Sequence, residues 1–385
     1  MVDQKQKKDC CGCGACVQAC PFQAILMKED EKGFLFPEID YERCKKCGIC
    51  DRVCGFVEDS QLLSDGEPVI YGVINRDEDA RKNSTSGGLF TAISDYILAQ
   101  NGVVYGAAYQ PDLSVATKRA VTPAERDECR GSKYVQCDTN DTYTQVKRDL
   151  TEGRLVFYTG TPCQIIGLRS YLQKEYENLI TAELVCHGVP NNRMWHEFLH
   201  LAENAVGIRV IDACFRDKSK TGWHHPKTKL VYQDGKEHPF FGEQAFFQLF
   251  STNMCLRDSC LYCKFLSYHR PADLTMADYW GIERFKKDFD DNKGTSMLLV
   301  NTEKGAQVFD RVKDQLRYFQ SDKEHCYQGR LQGRSTIDPR TEQFWEEYQA
   351  KGMKYVLIKY TEFSRTRTFV RKAIRKIKRD VLRRG

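Results

Sequence analysis

The chain has 385 residues, of which 41% are hydrophobic and 29% are charged, a composition typical of a globular protein with two or three domains. Its 18 cysteines follow a polar, lysine-rich N-terminus, which argues against a secreted disulfide scaffold, and no apolar run is long enough to cross a bilayer. We therefore expect a cytoplasmic protein whose cysteines are metal ligands or reactive groups. The formal net charge of +5 comes from residues 364–385, because they contain ten Lys or Arg and one Asp and the rest of the chain is slightly acidic.

The front of the chain contains two similar runs of cysteine. If Cys11 is left out, the first run reads C-x-x-C-x-x-C-x-x-x-C-P, and the second repeats this spacing with Gly55 in place of proline. Three thiolates on one tight loop can meet three corners of a cubane, and Gly12, Gly14 and Gly48 allow the positive φ that such a loop needs. The alternatives are two zinc sites, which more often use cysteine pairs set far apart, or a disulfide knot.

This doubled run resembles the bacterial two-cluster ferredoxin, in which the fourth cysteine of each run binds the other cluster. The resemblance implies an α+β ferredoxin-like module over residues 1–60 that holds two 4Fe–4S clusters. Cys11 is then a spare thiol beside the cluster loop. The resemblance assigns Cys10, Cys13, Cys16 and Cys54 to one cluster, and Cys44, Cys47, Cys50 and Cys20 to the other.

Beyond a polar stretch at 58–67, predicted strands and helices alternate as in an α/β body with a mostly parallel or mixed sheet. Residues 155–159 are wholly apolar, as expected of a buried parallel strand. In the helix predicted at 87–100, one face carries Leu89, Ala92, Ile93, Tyr96 and Ile97. The other predicted strands are 69–74, 102–108, 180–185, 229–232 and 297–301, and the other helices are 143–150, 161–176, 193–204 and 306–316. Residues 216–240 are expected to loop over the sheet.

The segment 83–88, of sequence NSTSGG, stands directly before a predicted helix. Small residues let backbone N–H groups point at a ligand, and the N-terminus of a helix favours an anion. The segment is therefore a candidate seat for a cofactor phosphate, and simple N-capping by one of its serines is the alternative. The candidate residues are Ser84, Ser86, Gly87 and Gly88.

Two cysteines follow predicted strands of the body. Cys163 stands at the start of a helix where Pro162 fits the first position, and the helix dipole favours a thiolate there. Cys186 follows the strand predicted at 180–185. Ligands collect at the carboxyl ends of strands in open α/β sheets, so the two cysteines could face one site. Farther along, Cys260 and Cys263 form a C-x-x-C pair, a common half-site for zinc or iron–sulfur.

Together these segments resemble the beta subunit of coenzyme F-420-dependent hydrogenases and dehydrogenases. The matching pieces are STSGG at 84–88, GSKYV at 131–135, GTPCQ at 160–164, CHGVP at 186–190, FRDK at 215–218, the cysteine pair with the following KF, and DLTMADYWG at 273–281. The resemblance implies an α/β flavin-binding body, over residues 61–150 and 151–335, with FAD and a third 4Fe–4S cluster. It implies an oxidoreductase whose flavin exchanges a hydride with an organic or deazaflavin acceptor.

The resemblance also points to individual residues. His187 is a candidate proton donor, because imidazole titrates near neutral pH, and a purely structural hydrogen bond is the alternative. Lys133 and Asp278 join the cofactor-binding candidates, and Arg216 and Trp280 are weaker ones. The third cluster is assigned to Cys163, Cys186, Cys260 and Cys263, with Cys255 as a replacement for one of them, or zinc in place of the cluster, left open. We expect buried thiols at Cys129, Cys137, Cys214 and Cys326.

Residues 336–385 are expected to be helical and to end in a basic amphipathic tail. Val370, Ile374, Ile377 and Val381 form one apolar stripe among cations. Such a helix could lie on the inner face of an anionic membrane or bind an acidic partner, and a solvated tail is the alternative. Nucleic acid is not expected, because few aromatic residues are available to stack on bases.

The expected partners are a redox partner protein or a small-molecule hydride acceptor. An electron-transfer subunit, or an accessory protein of polysaccharide biosynthesis with no substrate of its own, is the alternative function.

Overall fold

A computed structural model describes residues 1–56, 62–238, 240, 242–333 and 337–363. In the front module, strand β1 (Ile25–Glu29) pairs antiparallel with β2 (Leu35–Ile39), and two short helices, α1 (Ala15–Gln18) and α2 (Ile49–Arg52), flank this hairpin. Gly14 and Gly48 precede the helices with φ of 75° and 72°, and Gly12 has φ of 70°, which confirms the positive φ predicted for the cysteine loops.

The body is built on one mixed sheet of eight strands. The strands after the hairpin are β3 (Val69–Asn75), β4 (Val103–Tyr109), β5 (Val115–Ala120), β6 (Val156–Gly160), β7 (Leu179–Leu184), β8 (Val210–Asp217), β9 (Lys227–Tyr232), β10 (Leu274–Asp278), β11 (Ser296–Val300) and β12 (Leu316–Ser321). The sheet order is β12-β3-β11-β10-β7-β6-β4-β5, and β8 and β9 form a separate hairpin. The central strands β4, β6, β7 and β10 run parallel, and the remaining pairs are antiparallel.

Helices cover both faces of this sheet. They are α3 (Glu78–Lys82), α4 (Leu89–Ala99), α5 (Pro123–Asp127), α6 (Thr142–Thr151), α7 (Pro162–Leu172), α8 (Asn192–Val206), α9 (Ala245–Phe250), α10 (Asp258–Leu261), α11 (Ile282–Phe285), α12 (Glu303–Val312) and α13 (Thr341–Tyr360). Successive side chains of a strand point to opposite faces, so Val104 and Phe157 pack against α4 and α12, and their neighbours Tyr105 and Tyr158 pack against α6 and α7. Ala15 and Val53 of the front module join the second of these cores.

A further core lies away from the main sheet. It joins α8, α9 and α13 to the β8–β9 hairpin, and Phe34 of the front module is buried in it. Of the helices that the structure describes, none combines the length and the apolar character that crossing a bilayer requires. The predicted amphipathic tail at 364–385 lies outside the described residues.

Most predicted elements of the body are confirmed within one or two residues, and four predictions are wrong. Helix α12 begins at Glu303 and ends at Val312, whereas 306–316 was predicted. Residues 216–240, expected to be a loop, contain the end of β8 and the whole of β9. Residues 229–232 belong to β9, which pairs with β8 in the separate hairpin and does not extend the main sheet. Helix α7 ends at Leu172, before the predicted boundary at 176, because Gln173 adopts a left-handed φ of 58°. Strands β4 and β6, from either side of the boundary expected at 150, pair in one sheet.

Candidate functional site

The fold brings Cys54 of the second run to the cysteines of the first. Burial and the neighbouring Cys13, Cys10 and Cys54 all raise the pKa of the Cys16 thiol, which places the four sulfur atoms close together. The Lys5 ammonium donates a hydrogen bond of 2.9 Å to Cys54 Sγ. These four cysteines are the set that the two-cluster resemblance assigns to the first front cluster.

The second front set lies in a separate pocket of about 350 Å³, close to the surface. The backbone N–H of Ala24 donates to Cys20 Sγ at 3.4 Å, and that of Lys46 donates to Cys44 Sγ at 3.4 Å, contacts that stabilise sulfur carrying negative charge. The side chain of Cys47 is exposed. The pocket is lined by Cys20, Cys44, Cys47 and Cys50, the second set of the resemblance.

A third cavity, of about 640 Å³ including its open mouth, lies at the carboxyl edge of the main sheet, where β6 and β7 end. Among the residues that the structure describes, no three His, Cys, Asp or Glu side chains are spaced to hold a single metal ion. The cysteines that line this thiol cavity are Cys11, Cys137, Cys163, Cys186, Cys260 and Cys263.

Local structure fixes two of these thiols. Cys163 is the second residue of α7, where Thr161 and Gln164 form a capping box and Pro162 takes the first helical position. The hydroxyl of Thr161 lies 3.1 Å from Cys163 Sγ. Cys263 follows the short helix α10 and accepts a hydrogen bond of 3.5 Å from the backbone N–H of Phe265.

The thiol cavity disfavours a free thiolate at Cys186 and contains an unpaired cation. Burial raises the pKa of the Cys186 thiol to about 12, and nearby Cys163 and Cys263 add to the rise. The Arg330 guanidinium opposes it, and both terminal nitrogens of Arg330 are buried without a hydrogen-bond partner. Four thiolates bound to a cluster would give this guanidinium the negatively charged partner that it lacks. The donor set therefore fits a 4Fe–4S cluster.

Cys255, the alternative ligand, lies elsewhere. Its side chain is 1% exposed and packs into the core of α8, α9 and α13. The structure therefore does not bring it to the thiol cavity. Of the four thiols expected to be buried, Cys326 is buried, Cys129 and Cys137 are partly buried, and Cys214 is exposed. Cys214 is exposed because it lies on the face of β8 opposite the buried Ala213 and Phe215.

His187 lines the same thiol cavity. Its Nε2 is in hydrogen-bond contact with Asn253 Oδ1, and its ring packs on Phe250 with the centroids 4.9 Å apart. Burial and the charge of Arg330 lower the pKa of the imidazole below its ordinary value. These effects disfavour the protonated imidazolium, and the role of His187 as a proton donor stays a prediction.

The segment 83–88 also lies at the carboxyl edge, between β3 and β11. The hydroxyl of Ser84 donates to the carbonyl of Ala80 at 2.6 Å, and that of Ser86 donates to the carbonyl of Thr295 at 2.8 Å. A Cβ on Gly87 would stand 2.4 Å from the carbonyl oxygen of Val73. Helix α4 begins after Gly88 with no side-chain cap, so the N-capping alternative is wrong.

The remaining cofactor candidates have internal partners. Lys133 Nζ donates to the backbone carbonyls of Glu128, Arg130 and Gly131, and so fixes its own loop. That loop meets the segment 83–88 where the backbone N–H of Ser132 donates to Thr85 Oγ1 at 2.8 Å.

Asp278, at the end of β10, is held by a cation and an indole. It accepts hydrogen bonds of 3.1 Å from Arg216 Nη1 and 3.1 Å from Trp223 Nε1. Trp280 stacks on Trp223 at 4.8 Å, and the Arg216 guanidinium lies 5.1 Å from the Trp280 ring. Arg216 is only 7% exposed, yet its Nε and Nη2 have no hydrogen-bond partner. An anionic group such as a phosphate would satisfy both donors.

Sequence reasoning missed two residues of this site. Arg330 belongs to no motif, and only the fold brings it to the thiol cavity. The cysteine spacing predicts a spare thiol at Cys11, but this residue lines the thiol cavity and lies in one apolar cluster with Cys13 and Cys163. Its adjacency to the cluster loop was the only available signal.

The front hairpin module carries two cysteine sets, and the α/β body has a thiol cavity at the edge of its sheet. Together these features define an iron–sulfur protein suited to electron transfer. Residues 153–324 match the family described as the C terminus of the coenzyme F420 hydrogenase/dehydrogenase beta subunit, and residues 9–56 match the 4Fe-4S dicluster domain. The chain therefore carries an N-terminal 4Fe–4S domain, and its body is related to these beta subunits, as expected of an iron–sulfur oxidoreductase subunit.

Individual relatives are distant. The chain is 21% identical over 337 residues to the F subunit of the F(420)H(2) dehydrogenase from Methanosarcina mazei, across 82% of this chain and 85% of the relative. A solved structure of the F420-reducing nickel–iron hydrogenase complex from Methanosarcina barkeri, obtained for xenon derivatization, contains a similar chain. That similarity has a TM-score of 0.44 at 18% identity and covers 78% of this chain and 94% of the other.

Proposed function

We propose that the chain is an iron–sulfur flavoprotein oxidoreductase, which conducts electrons between the two front clusters, a third cluster in the body and FAD. The observation that carries this proposal is the thiol cavity, where Cys163, Cys186, Cys260 and Cys263 meet at the carboxyl edge of the sheet. These are the residues that would hold the third cluster.

The contact between the front module and the body supports a continuous electron route. A Cβ placed on Gly167 would stand 2.8 Å from Cys13 Sγ, so this ligand of the first front cluster lies directly against α7. Cys163 lies one helical turn before Gly167 on the same face of that helix. Arg257, 1% exposed, also joins the two parts, because its Nε donates to the carbonyl of Cys10 at 2.9 Å.

The flavin is assigned to the stretch of the sheet edge between the segment 83–88 and Asp278. When bound, a flavin supplies hydride transfer, which one-electron clusters cannot perform. Arg216 would bind its phosphate through the two donors that have no partner, and Asp278 holds the guanidinium in place. Lys218 Nζ donates to the carbonyls of Arg81 and Ser86 at 2.9 and 3.1 Å and so fixes the segment 83–88 beside it.

We assign the hydride acceptor to the class of small organic molecules. Within that class, the name of the Methanosarcina mazei relative favours a deazaflavin. A redox protein would deliver electrons at the exposed Cys47 of the second front cluster. We place the protein in the cytoplasm, and contact of its basic tail with the membrane remains a separate proposal. His187 would hold a proton near the third cluster.

Stopped-flow reduction of the holoprotein tests this function. A reduced ferredoxin is mixed anaerobically with the full chain, and the flavin absorbance is followed. We expect the flavin to be reduced in the wild type and in the control Cys214→Ala, whose cysteine lies outside the thiol cavity. In Cys186→Ala we expect the front clusters to be reduced while the flavin stays oxidised. Equal rates in all three proteins would contradict the route, and a holoprotein without flavin would favour the electron-carrier alternative.

A further inference from the structure

We propose that Arg257 of the body is the buried charge partner of the first front cluster and raises its reduction potential through a hydrogen bond to the ligand sulfur of Cys10. This inference rests on one part of the proposed function, the first front cluster. It requires neither the third cluster nor the flavin.

The side chain of Arg257 is buried against the front module. It is 1% exposed, and its guanidinium carbon lies 4.1 Å from the centroid of the Phe36 ring. Nε donates to the carbonyl of Cys10 at 2.9 Å, and Nη2 donates to the carbonyl of Leu35 at 2.9 Å and to Cys10 Sγ at 3.7 Å. Nη1 donates to Gln136 Oε1 at 3.3 Å. The guanidinium therefore reaches the sulfur of a cluster ligand from inside the protein.

This guanidinium has no carboxylate partner. Five arginine residues are buried in the part of the chain that the structure describes, and Arg257 is the one among them with no carboxylate oxygen within 4.0 Å. The other four form the ion pairs Arg81–Asp291, Arg126–Asp95, Arg216–Asp278 and Arg270–Glu183. A buried charge is costly unless an opposite charge compensates it. A cluster bound by four thiolates, Cys10 among them, would supply that opposite charge.

A buried cation at a ligand sulfur has a defined effect on a cluster. The extra electron of the reduced cluster adds negative charge, which the guanidinium and its N–H donor stabilise, so the reduction potential rises. Exclusion of water strengthens this interaction. The partly exposed Lys5, which donates to Cys54 Sγ of the same set, is retained in every variant below and so does not affect the comparison.

The place of Arg257 in the chain relates this effect to the electron route. Arg257 directly precedes α10, and its backbone carbonyl accepts a hydrogen bond of 2.8 Å from the N–H of Cys260. A higher potential at the first front cluster favours transfer of one electron to it from the second front cluster, whose Cys47 is exposed. Arg257 is thus a positioning residue that draws electrons inward, toward the segment that carries Cys260.

The test is an EPR-monitored redox titration of the full-length holoprotein and of Arg257→Met and Arg257→Lys. The signal of the first front cluster is identified by its loss in Cys16→Ala, and that of the second front cluster by its loss in Cys47→Ala. In Arg257→Met we expect unchanged iron content, a lower midpoint potential for the first front cluster and an unchanged potential for the second. Arg257→Lys retains the charge without the planar fork of donors and should restore part of the potential.

A matched control comes from an exposed arginine of the front module. Arg52 Nη1 donates to the carbonyl of Cys47 at 3.3 Å, but its side chain lies in solvent, where salt and water screen its charge. Arg52→Met should therefore leave both potentials near their wild-type values. A shift of the second front cluster in Arg52→Met as large as that of the first in Arg257→Met would contradict the argument from burial.

An unchanged first front cluster in Arg257→Met, or an equal shift of both front clusters, would overturn the role of Arg257. If Arg257→Met loses the first front cluster, a potential below the wild-type value in Arg257→Lys supports the role, and a wild-type potential overturns it. Loss of about four iron atoms in both variants would overturn it too, because Arg257 would then be needed to hold the cluster at all. About eight iron atoms and no flavin in the wild type would defeat the proposed function alone, since both front clusters could still be titrated.

Discussion

Replacing Arg270 with methionine should weaken the body where the segment after Cys263 is fixed to the sheet. The side chains of Arg270 and Glu183 are 1% and 0% exposed and form an ion pair. Arg270 Nη1 also donates to the carbonyls of Phe265 and Ser267 at 2.8 and 3.2 Å. Without the guanidinium, Glu183 keeps only the hydrogen bond from Thr275 Oγ1 at 3.0 Å, and its Oε2 already lacks a partner.

Breaking a buried pair by removing one partner costs about 3–5 kcal/mol, because the other charge stays buried without compensation. We expect Arg270→Met to lose this much unfolding free energy at pH 8. Replacing a whole buried pair with apolar residues is often neutral, so the double variant Arg270→Met, Glu183→Leu should recover most of the loss.

The loss should also depend on pH. Burial raises the pKa of Glu183 above 4.5, and Arg270 opposes that rise. In Arg270→Met the pKa rises further, so the folded state retains a proton that the unfolded state releases. A carboxyl group whose pKa is higher in the folded state than in the unfolded state binds its proton more tightly on folding. The resulting stabilisation is fully present below the pKa of the unfolded state and is lost as the pH rises through the pKa of the folded state. The variant should therefore be less destabilised at pH 5.5 than at pH 8.

Urea unfolding followed by circular dichroism at both pH values measures these effects. The control is Arg284→Met, whose side chain is 87% exposed and whose change should stay within about 0.5 kcal/mol. A loss below about 1 kcal/mol in Arg270→Met would refute the reasoning from the buried pair. A double variant no more stable than the single one would refute it as well.

The candidate site supports three more predictions. Cys186→Ala should lower iron content by about four atoms per chain, while Cys214→Ala retains the wild-type value. Gly167→Ala places a Cβ 2.8 Å from Cys13 Sγ, so it should lower the unfolding free energy by about 1–3 kcal/mol and slow flavin reduction. The control Gly66→Ala, which has open space around it, should change neither quantity. Burial lowers the pKa of Lys218 to about 8, so its hydrogen bonds to the segment 83–88 should weaken above that pH. Gel filtration at pH 7 and pH 9 should therefore show loss of flavin only at pH 9.

The sequence predicted the parts of the fold that depend on local pattern. The buried face of α4 and the apolar strand β6 were found because their periodicity is set by burial against the sheet. The separate β8–β9 hairpin was missed, because strand pairing depends on tertiary contacts that a single segment does not encode.

The same contrast holds within the candidate site. The cysteine spacings indicated three ligands of each front set, since these lie on one loop, and the resemblance supplied the fourth from the other run. The positions of Arg330 and Cys11 in the lining of the thiol cavity depend on contacts between segments far apart in the chain. Serines at 84 and 86 matched a phosphate-site pattern, but their hydroxyls bind backbone carbonyls, so the donors left for an anion come from Arg216.

We propose that the body holds a third cluster and a flavin. The most direct test of this proposal is the iron and released-flavin content per chain after anaerobic purification. We expect about twelve iron atoms, from three cubanes of four, together with one FAD. About eight iron atoms and no flavin would contradict it, since the body would then bind neither group.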